Sequence, residues 1–421
     1  MDSESQTSFK AGDIVCVLIP NVVNAGYDYI LNTSAATGAF VRVSVQNRPY
    51  VGVIMGPGVS ACPREKIKPV QHVFTAGDFG VNVGANNHLP LQPGLSESDL
   101  KWIHKMSEWT MMAPGAVLRL ILNIPDAFAP PRTEALFVYK PPDENGKKVR
   151  MTDQRQAVAD AFAENPDEAL SVADITQIAR VSPAVVRTMV KNGILELTGS
   201  KSVGSFPAPP AYRDTGTVKL NEEQRAAAAA IELGRFSVHL LDGITGSGKT
   251  QVYFDSAWRA YAAGKSVLLM MPEIALTAQF MSRFAGRFGA PPVIWHSNLT
   301  SARRRDIWRG VATGQIRMVV GTRSALFLPW QDLGLIVVDE EHDASYKQED
   351  MGNYHARDMA ILRGSIANFP IILAGATPSA ETMKKVAEGA YKCSRLTARF
   401  GGATMPKIEL IDMRKERPEK Y

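Results

Sequence analysis

The sequence predicts a multidomain chain: a β-rich N-terminal domain, an α+β segment in the middle, and an α/β lobe on a parallel sheet. Three observations predict it. Alternating strand patterns crowd Ala11 to Gly58, helical spacing with turn signals fills the middle, and short apolar runs separated by helical stretches follow Val238. A length of 421 residues accommodates two to four domains at ~100–200 residues each. Hydrophobic residues make up 45% and charged residues 21%, which excludes a disordered or fibrous chain. The surplus of 47 Lys+Arg over 42 Asp+Glu, +5 overall, leans weakly towards an anionic partner. Cys16, Cys62 and Cys393 lie too far apart for a disulfide framework or zinc spacing, and a reducing, cytoplasmic home is expected. The N-terminus "MDSESQTSFKAGD" has no signal-peptide pattern. No uncharged apolar run reaches the ~18 residues of a membrane span.

In the first domain, expected over 1–118, "VCVLIP", "YDYIL" and "VRVSVQNRPYVGVIMG" read as strands. Val41, Val43 and Val45 alternate with polar residues, "QNRP" turns, and Val51 and Val53 resume the alternation, which is a hairpin pattern. Ser96 suits a helix cap, with Glu97 and Asp99 in the first turn. The Pro-rich "NIPDAFAPPRTEALFVYKPPDENGKK" reads as a linker. Within 119–205 the order helix, helix, turn, helix, strand follows, with Ser182 at a cap, Pro183 at the first helical position and Gly193 past the end. A winged helix-turn-helix is one reading, with Arg187 and Lys191 meeting phosphates. A helical spacer with ordinary surface charge is the other.

The lobe, expected over 206–405, contains "GITGSGKT", Gly243 to Thr250, between the apolar strand "SVHLLD" and the helical "QVYFDSAWRAYAAG". That context is what a phosphate loop requires. Gly243, Gly246 and Gly248, with Thr245 and Ser247 between them, allow backbone N–H groups to turn inward around phosphates. Lys249 reaches the outer phosphates and the Thr250 hydroxyl can hold Mg²⁺. In "LIVVDEE" an apolar strand delivers Asp339 to Mg²⁺, and Glu340 can orient or deprotonate the attacking water. Gln224 precedes the loop in "LNEEQRAAAAAI"; its amide could pair with adenine, or sit idle on an exposed helix.

The ordered set "GITGSGKT", "MPEIALTAQF", "GTRSALF", "DEEHD" and "AGATPS" resembles the first RecA-like motor lobe of a superfamily-two helicase. With "YHARD" it is similar to the primosomal replication-restart helicases, and "YDYIL" with "GAFVRVSVQNRPYVGVIMG" resembles that family's 3′-end-binding domain. The resemblance implies ATP and Mg²⁺ as ligands, a winged helix, and forked and single-stranded DNA, primosome proteins and single-strand-binding proteins as partners of a monomeric, nucleoid-associated protein with no membrane contact. It implies that Gln224 contacts adenine, that Lys249 and Thr250 serve phosphates and Mg²⁺, and that Asp339 and Glu340 are the hydrolytic carboxylates. His342, Gly375 and Thr377 would couple the nucleotide to the motor. Thr322 and Arg323 would lie near the DNA backbone, and Tyr27, Asp28 and Arg42 in the 3′-end domain. Tyr27 stands where the family has Phe, and "VRVSVQNR" departs from the family's "VRVPFG". Tyr346, Tyr354 and His355 would form an aromatic loop that stacks on single-stranded bases; an ordinary surface loop with half-buried tyrosines is the alternative.

The family's second lobe carries an arginine finger and a cysteine-rich zinc module. Here "IELIDMRKERPEKY" ends where that lobe should begin, so 406–421 is expected to be its start, and the zinc ligands are not in this sequence. An arginine finger is worth ~10³–10⁵ in rate in related enzymes, so this chain alone is expected to hydrolyse ATP slowly and not to unwind DNA. Three functions stay open: an ATP-dependent 3′-to-5′ DNA helicase that recognises stalled forks and initiates primosome assembly, another superfamily-two translocase of repair or restriction, and a non-hydrolytic fork-binding scaffold.

Overall fold

The computed structural model describes residues 7–22, 25–59, 62–80, 93–129, 132–141, 151–163, 169–203, 210–216, 219–349 and 352–399. The expected beginning of a second lobe at 406–421 lies outside the described residues. The chain divides into two compact units: Met1–Phe74, Gln92–Asn123 and Pro210–Tyr421 form one, and Thr75–Leu91 with Ile124–Pro209 the other.

In the first unit, an antiparallel sheet runs in the order Tyr27–Ile30, Ile14–Leu18, Arg48–Pro57, Phe40–Val45, His72–Val73. The alternation read at Val41 and Val43 points those side chains into one core with Val15, Val17 and Ile54. Gln46 and Asn47 form the two-residue turn of the hairpin, both with positive φ (47° and 63°), the geometry that matches the twist of the flanking strands. Ser96 caps the helix Glu97–Thr110 as expected: its hydroxyl accepts from Asp99 N, and the Asp99 carboxylate accepts from Ser96 N, both at 3.1 Å. The buried face of that helix includes Leu100, Trp102, Ile103 and Met106.

The second unit holds helices Asp153–Ala163, Val172–Ile178 and Pro183–Lys191 and a sheet in the order Leu195–Val203, Arg132–Tyr139, Leu170–Ser171. Its core gathers Phe137, Val158, Phe162, Ile175, Val186 and Met189. Pro183 opens its helix and Gly193, at φ 71°, follows its end. The stretch read as a linker contains a strand, Arg132–Tyr139. Flanking prolines disguise it in the sequence, and its pairing partner Leu195–Val203 is distant in the chain.

The lobe, also in the first unit, has strands β1 (Val238–Gly243), β2 (Ser266–Met270), β3 (Val293–Trp295), β4 (Met318–Gly321), β5 (Leu333–Asp339), β6 (Ile371–Gly375) and β7 (Lys392–Leu396). All pair in parallel, in the order β3-β4-β2-β5-β6-β1-β7. The five strands read from the sequence are present. The two it did not reveal, β3 and β7, are the sheet edges: β3 is apolar but only three residues long, and β7 mixes polar and charged residues into its run. Helices α1 (Glu222–Ala230), α2 (Lys249–Ala262), α3 (Ala278–Phe288), α4 (Ser301–Ala312), α5 (Ala356–Ala367) and α6 (Ala380–Ala387) alternate with the strands. Phe254 of α2 meets Phe280, Phe284 and Phe288 of α3 edge-on at 5.2–5.7 Å, anchoring the core beneath β1, β2 and β5.

Candidate nucleotide-hydrolysing site

The site forms where the C-terminal ends of β1 and β5 deliver Gly243 and Asp339, the position at which parallel sheets bind ligands. After β1 the chain turns into α2 through Gly246 and Gly248, at φ +85° and +87°. Gly248 is the residue before α2, and a Cβ there would stand 2.2 Å from Gln224 Nε2. Gln224 is 1% exposed and borders the cleft, with one bond at each polar atom of its amide: Nε2 donates to Ser247 O (2.9 Å) and Oε1 accepts from Asn221 N (3.1 Å). Its backbone N donates to Asn221 Oδ1 (2.8 Å), so the capping box of α1 also braces the phosphate loop. Lys249 is buried, and its Nζ donates to Gly243 O at 2.6 Å. Thr250 follows in the first turn of α2, whose positive dipole end faces the loop.

Across the cleft, Asp339 Oδ2 accepts from the Tyr253 hydroxyl (2.9 Å) and Oδ1 from Glu340 N (3.1 Å). Burial pushes the Asp339 carboxyl up from 3.8 to about 6; the Tyr253 bond opposes this and the Glu340 charge adds to it. Glu340 has φ 45°, left-handed backbone that a non-glycine residue adopts only where its surroundings impose it. A cleft of about 570 Å³ joins the two halves, lined by Gln224, Thr245, Gly246, Gly248, Lys249, Thr250, Asp339 and Glu340, with Lys219, Gln251 and Arg283. Gln251, which lines the cleft, has its Oε1 buried without a partner among the described residues, a polar atom that suits a polar ligand. Among the described residues, no group of three or more His, Cys, Asp or Glu gathers to hold a metal ion. A hydroxyl and a carboxylate are nevertheless the donor set Mg²⁺ takes when substrate phosphates complete its shell.

Beyond the carboxylates, His342 Nδ1 lies 3.9 Å from Glu340 Oε2, and its Nε2 is 3.3 Å from Thr377 Oγ1. A Cβ at Gly375 would stand 3.5 Å from His342 Nδ1, so the three expected coupling residues lie side by side. Sequence reasoning missed the neighbouring network. Glu341 is wholly buried and accepts from Ser379 N (2.6 Å), Thr382 Oγ1 (3.0 Å) and Arg357 Nη1 (2.8 Å). Burial alone would raise its carboxyl, but these donors outweigh it and hold it below the usual range. The charged pair "E…R" within "DEEHD" and "YHARD" was the available signal.

The residues expected to touch DNA fall in several places. Tyr27 and Asp28 line a cleft of about 290 Å³ with Gln46, Lys66 and Lys68. Tyr29 is a core residue whose hydroxyl donates to Ser44 O. Arg42 lies with its guanidinium 5.1 Å over the Phe74 ring. Thr322 and Arg323 line a second cleft of about 440 Å³, where Arg323 donates to Ser345 O (3.2 Å) and Lys347 O (2.6 Å). Tyr346 and Tyr354, read as base-stacking residues, are 1% and 7% exposed, so the Tyr346 ring is enclosed and Tyr354 contributes only a small area to the wall of the second cleft. The reason is local: the Tyr346 hydroxyl donates to Asp339 O (2.6 Å), and Tyr354 packs edge-on against Phe327 at 5.3 Å. His355 is half-buried, with Nδ1 unpartnered among the described residues and its ring 6.4 Å from Tyr346. Burial, then the Arg357 charge, lowers its pKa.

A parallel sheet with a phosphate loop on one strand and an acidic pair on another defines a nucleotide-hydrolase lobe of the helicase type, and residues 221–386 match the DEAD/DEAH box helicase family. The chain is 35% identical over 272 residues to the replication restart protein PriA of Bacillus subtilis (strain 168), covering 63% of this chain and 34% of that protein. It is 46% identical over 201 residues to PriA of Rickettsia felis, covering 48% of this chain and 31% of that protein. Part of this chain is therefore similar to PriA and to DEAD/DEAH box helicases. The matched region spans about a third of the length of these relatives. Among solved structures, the Pyrococcus furiosus Hef helicase domain aligns over 41% of this chain and 38% of its own at 20% identity, with a TM-score of 0.32.

Proposed function

We propose that this chain carries the fork-binding part and the first motor lobe of an ATP-dependent 3′-to-5′ DNA helicase that recognises stalled replication forks and initiates primosome assembly. The observation that carries the proposal is the convergence of Lys249, Asp339 and Glu340 on one cleft, with His342 bridging towards Thr377. In this reading Lys249 gives up its bond to Gly243 O for the outer phosphates of ATP, and Gln224 meets the adenine. Glu340 accepts the proton of the attacking water. Mg²⁺, held by Thr250 and Asp339, would neutralise charge developing on the phosphates. Thr322 and Arg323 line the cleft assigned to the DNA backbone, and Tyr27 and Asp28 the one assigned to the 3′-terminal nucleotide. The helices and sheet of the second unit serve as a winged helix. Primosome and single-strand-binding proteins are the expected partners.

Two measurements test this. Lys249→Ala lowers DNA-stimulated ATP turnover by at least about a hundredfold, since loss of one preorganised cation costs on the order of 10²–10³. Forks ending in a 3′-OH bind more tightly than forks ending in a 3′-phosphate. Wild-type turnover in the variant sinks the enzymatic reading, and equal binding of the two forks sinks the end-recognition reading.

A further inference from the structure

We propose that Arg357 is a positioning residue for hydrolysis, and that α5 passes the state of the N-terminal domain to the hydrolytic carboxylates. The inference deepens the function proposed above and rests on Glu340 being the residue that activates water.

Glu341 follows Glu340 directly and is the more deeply buried of the two. Its carboxylate is held from three directions, by Ser379 N and Oγ, by Thr382 Oγ1 and by Arg357 Nη1, while its backbone N donates to Ala374 O (3.0 Å) at the end of β6. Arg357 is 8% exposed and also donates to Ser379 Oγ at 2.9 Å. A buried carboxylate left without its cation is costly, so the Glu341 side chain can move only if Arg357 moves with it. Glu340 sits in left-handed backbone at φ 45°, a conformation that survives only if its neighbours over-determine it. Glu341 is the neighbour with the strongest anchors, so the Arg357–Glu341 pair sets where the Glu340 carboxylate points.

Arg357 is in the first turn of α5, and the next turns of the same helix are gripped by the N-terminal domain. Arg363 pairs with Asp99 at 2.6 Å, both almost fully buried, and its guanidinium lies 4.8 Å over the Trp102 ring. Trp102 Nε1 donates to Met359 O at 3.0 Å. Just before α5, Gly352 (φ 110°) is so closely approached that a Cβ would stand 2.2 Å from Met112 Sδ. The N-terminal domain thus holds α5 at Met359 and Arg363 and meets the loop leading into it. A shift of that domain on its DNA would tilt a short, rigid helix whose first turn carries Arg357.

The test uses the whole encoded protein, measuring ATP turnover with and without forked DNA and the affinity for a fluorescent ATP analogue. Arg357→Ala is expected to lower kcat by roughly ten- to a hundredfold, the scale of a 1 Å misplacement, with nucleotide affinity within about threefold of wild type. Arg357→Lys recovers part of the lost kcat. Glu341→Gln, which keeps the shape and removes the charge, follows Arg357→Ala and decides the matter should that variant not fold. Asp99→Asn, or Trp102→Phe, which removes only the bond to Met359 O, should the first not fold, is expected to lower fork stimulation by about threefold or more while DNA-free turnover is unchanged. Wild-type kcat in Glu341→Gln, or a fall in kcat matched by an equal fall in nucleotide affinity, overturns the positioning role. Unchanged fork stimulation in Asp99→Asn overturns transmission through α5. Glu340→Gln serves as the separate control: wild-type turnover there refutes Glu340 as the water-activating residue, whatever the Arg357 variants show.

Discussion

Replacing Asp339 by Asn should make the nucleotide-free protein more stable while removing its activity. The folded state raises this carboxyl from 3.8 to about 6, chiefly by burial. At about 1.36 kcal/mol per unit, carrying the charge at neutral pH costs about 3 kcal/mol. Asn carries no charge, but with one acceptor oxygen it keeps only one of the bonds from the Tyr253 hydroxyl and Glu340 N. Losing the other costs about 1 kcal/mol, leaving a net gain of about 2. The pH dependence fixes the sign. An acid whose folded pKa is raised favours the fold below 3.8, and that contribution is lost as pH rises from 3.8 to about 6. The stability gap between Asp339→Asn and wild type should therefore widen over that window and level off above it. Denaturant titration without nucleotide, in EDTA, at a series of pH values measures the gap, and ATP turnover measures the loss. A variant less stable than wild type at neutral pH, or a gap that does not change with pH, refutes the reasoning.

Two further substitutions probe the frame around the site. Gly248→Ala places a Cβ against Gln224 Nε2 at a φ of +87°; it should cost at least about 1–2 kcal/mol in stability and weaken nucleotide binding, read by denaturation and by titration with an ATP analogue. Arg363→Ala leaves Asp99 buried without its cation; it should destabilise by about 3–5 kcal/mol, and denaturant unfolding at neutral pH would show it.

The phosphate loop and the acidic strand end were legible in the sequence because both are local: a Gly-rich turn after an apolar strand, and a carboxylate pair at the end of another. The five inner strands of the lobe were legible because burial on both faces leaves a continuous apolar run. The strand Arg132–Tyr139 was not, since its identity depends on pairing with Leu195–Val203 far along the chain. The same holds for the aromatic residues after Asp339. Their composition suggests a surface that meets bases, yet Tyr346 is drawn inward by a bond to the Asp339 carbonyl. Gln224 shows the limit from the other side. Its place before the loop was legible, but the bond that ties it to Ser247 was not. Long-range contacts such as Asp99 to Arg363 leave no trace in local patterning.

The strand order has a consequence for how the molecule is made. β1, which carries the phosphate loop, has as its sheet neighbours only β6 and β7. On the ribosome it emerges with no strand to pair with until the chain has been extended past Ile371. Until then "SVHLLDG" is an unpaired apolar edge, the kind of segment on which nascent chains aggregate or recruit chaperones. The nucleotide site therefore closes late, when β6 slots between β5 and β1 and brings Asp339 and Lys249 to opposite sides of one cleft.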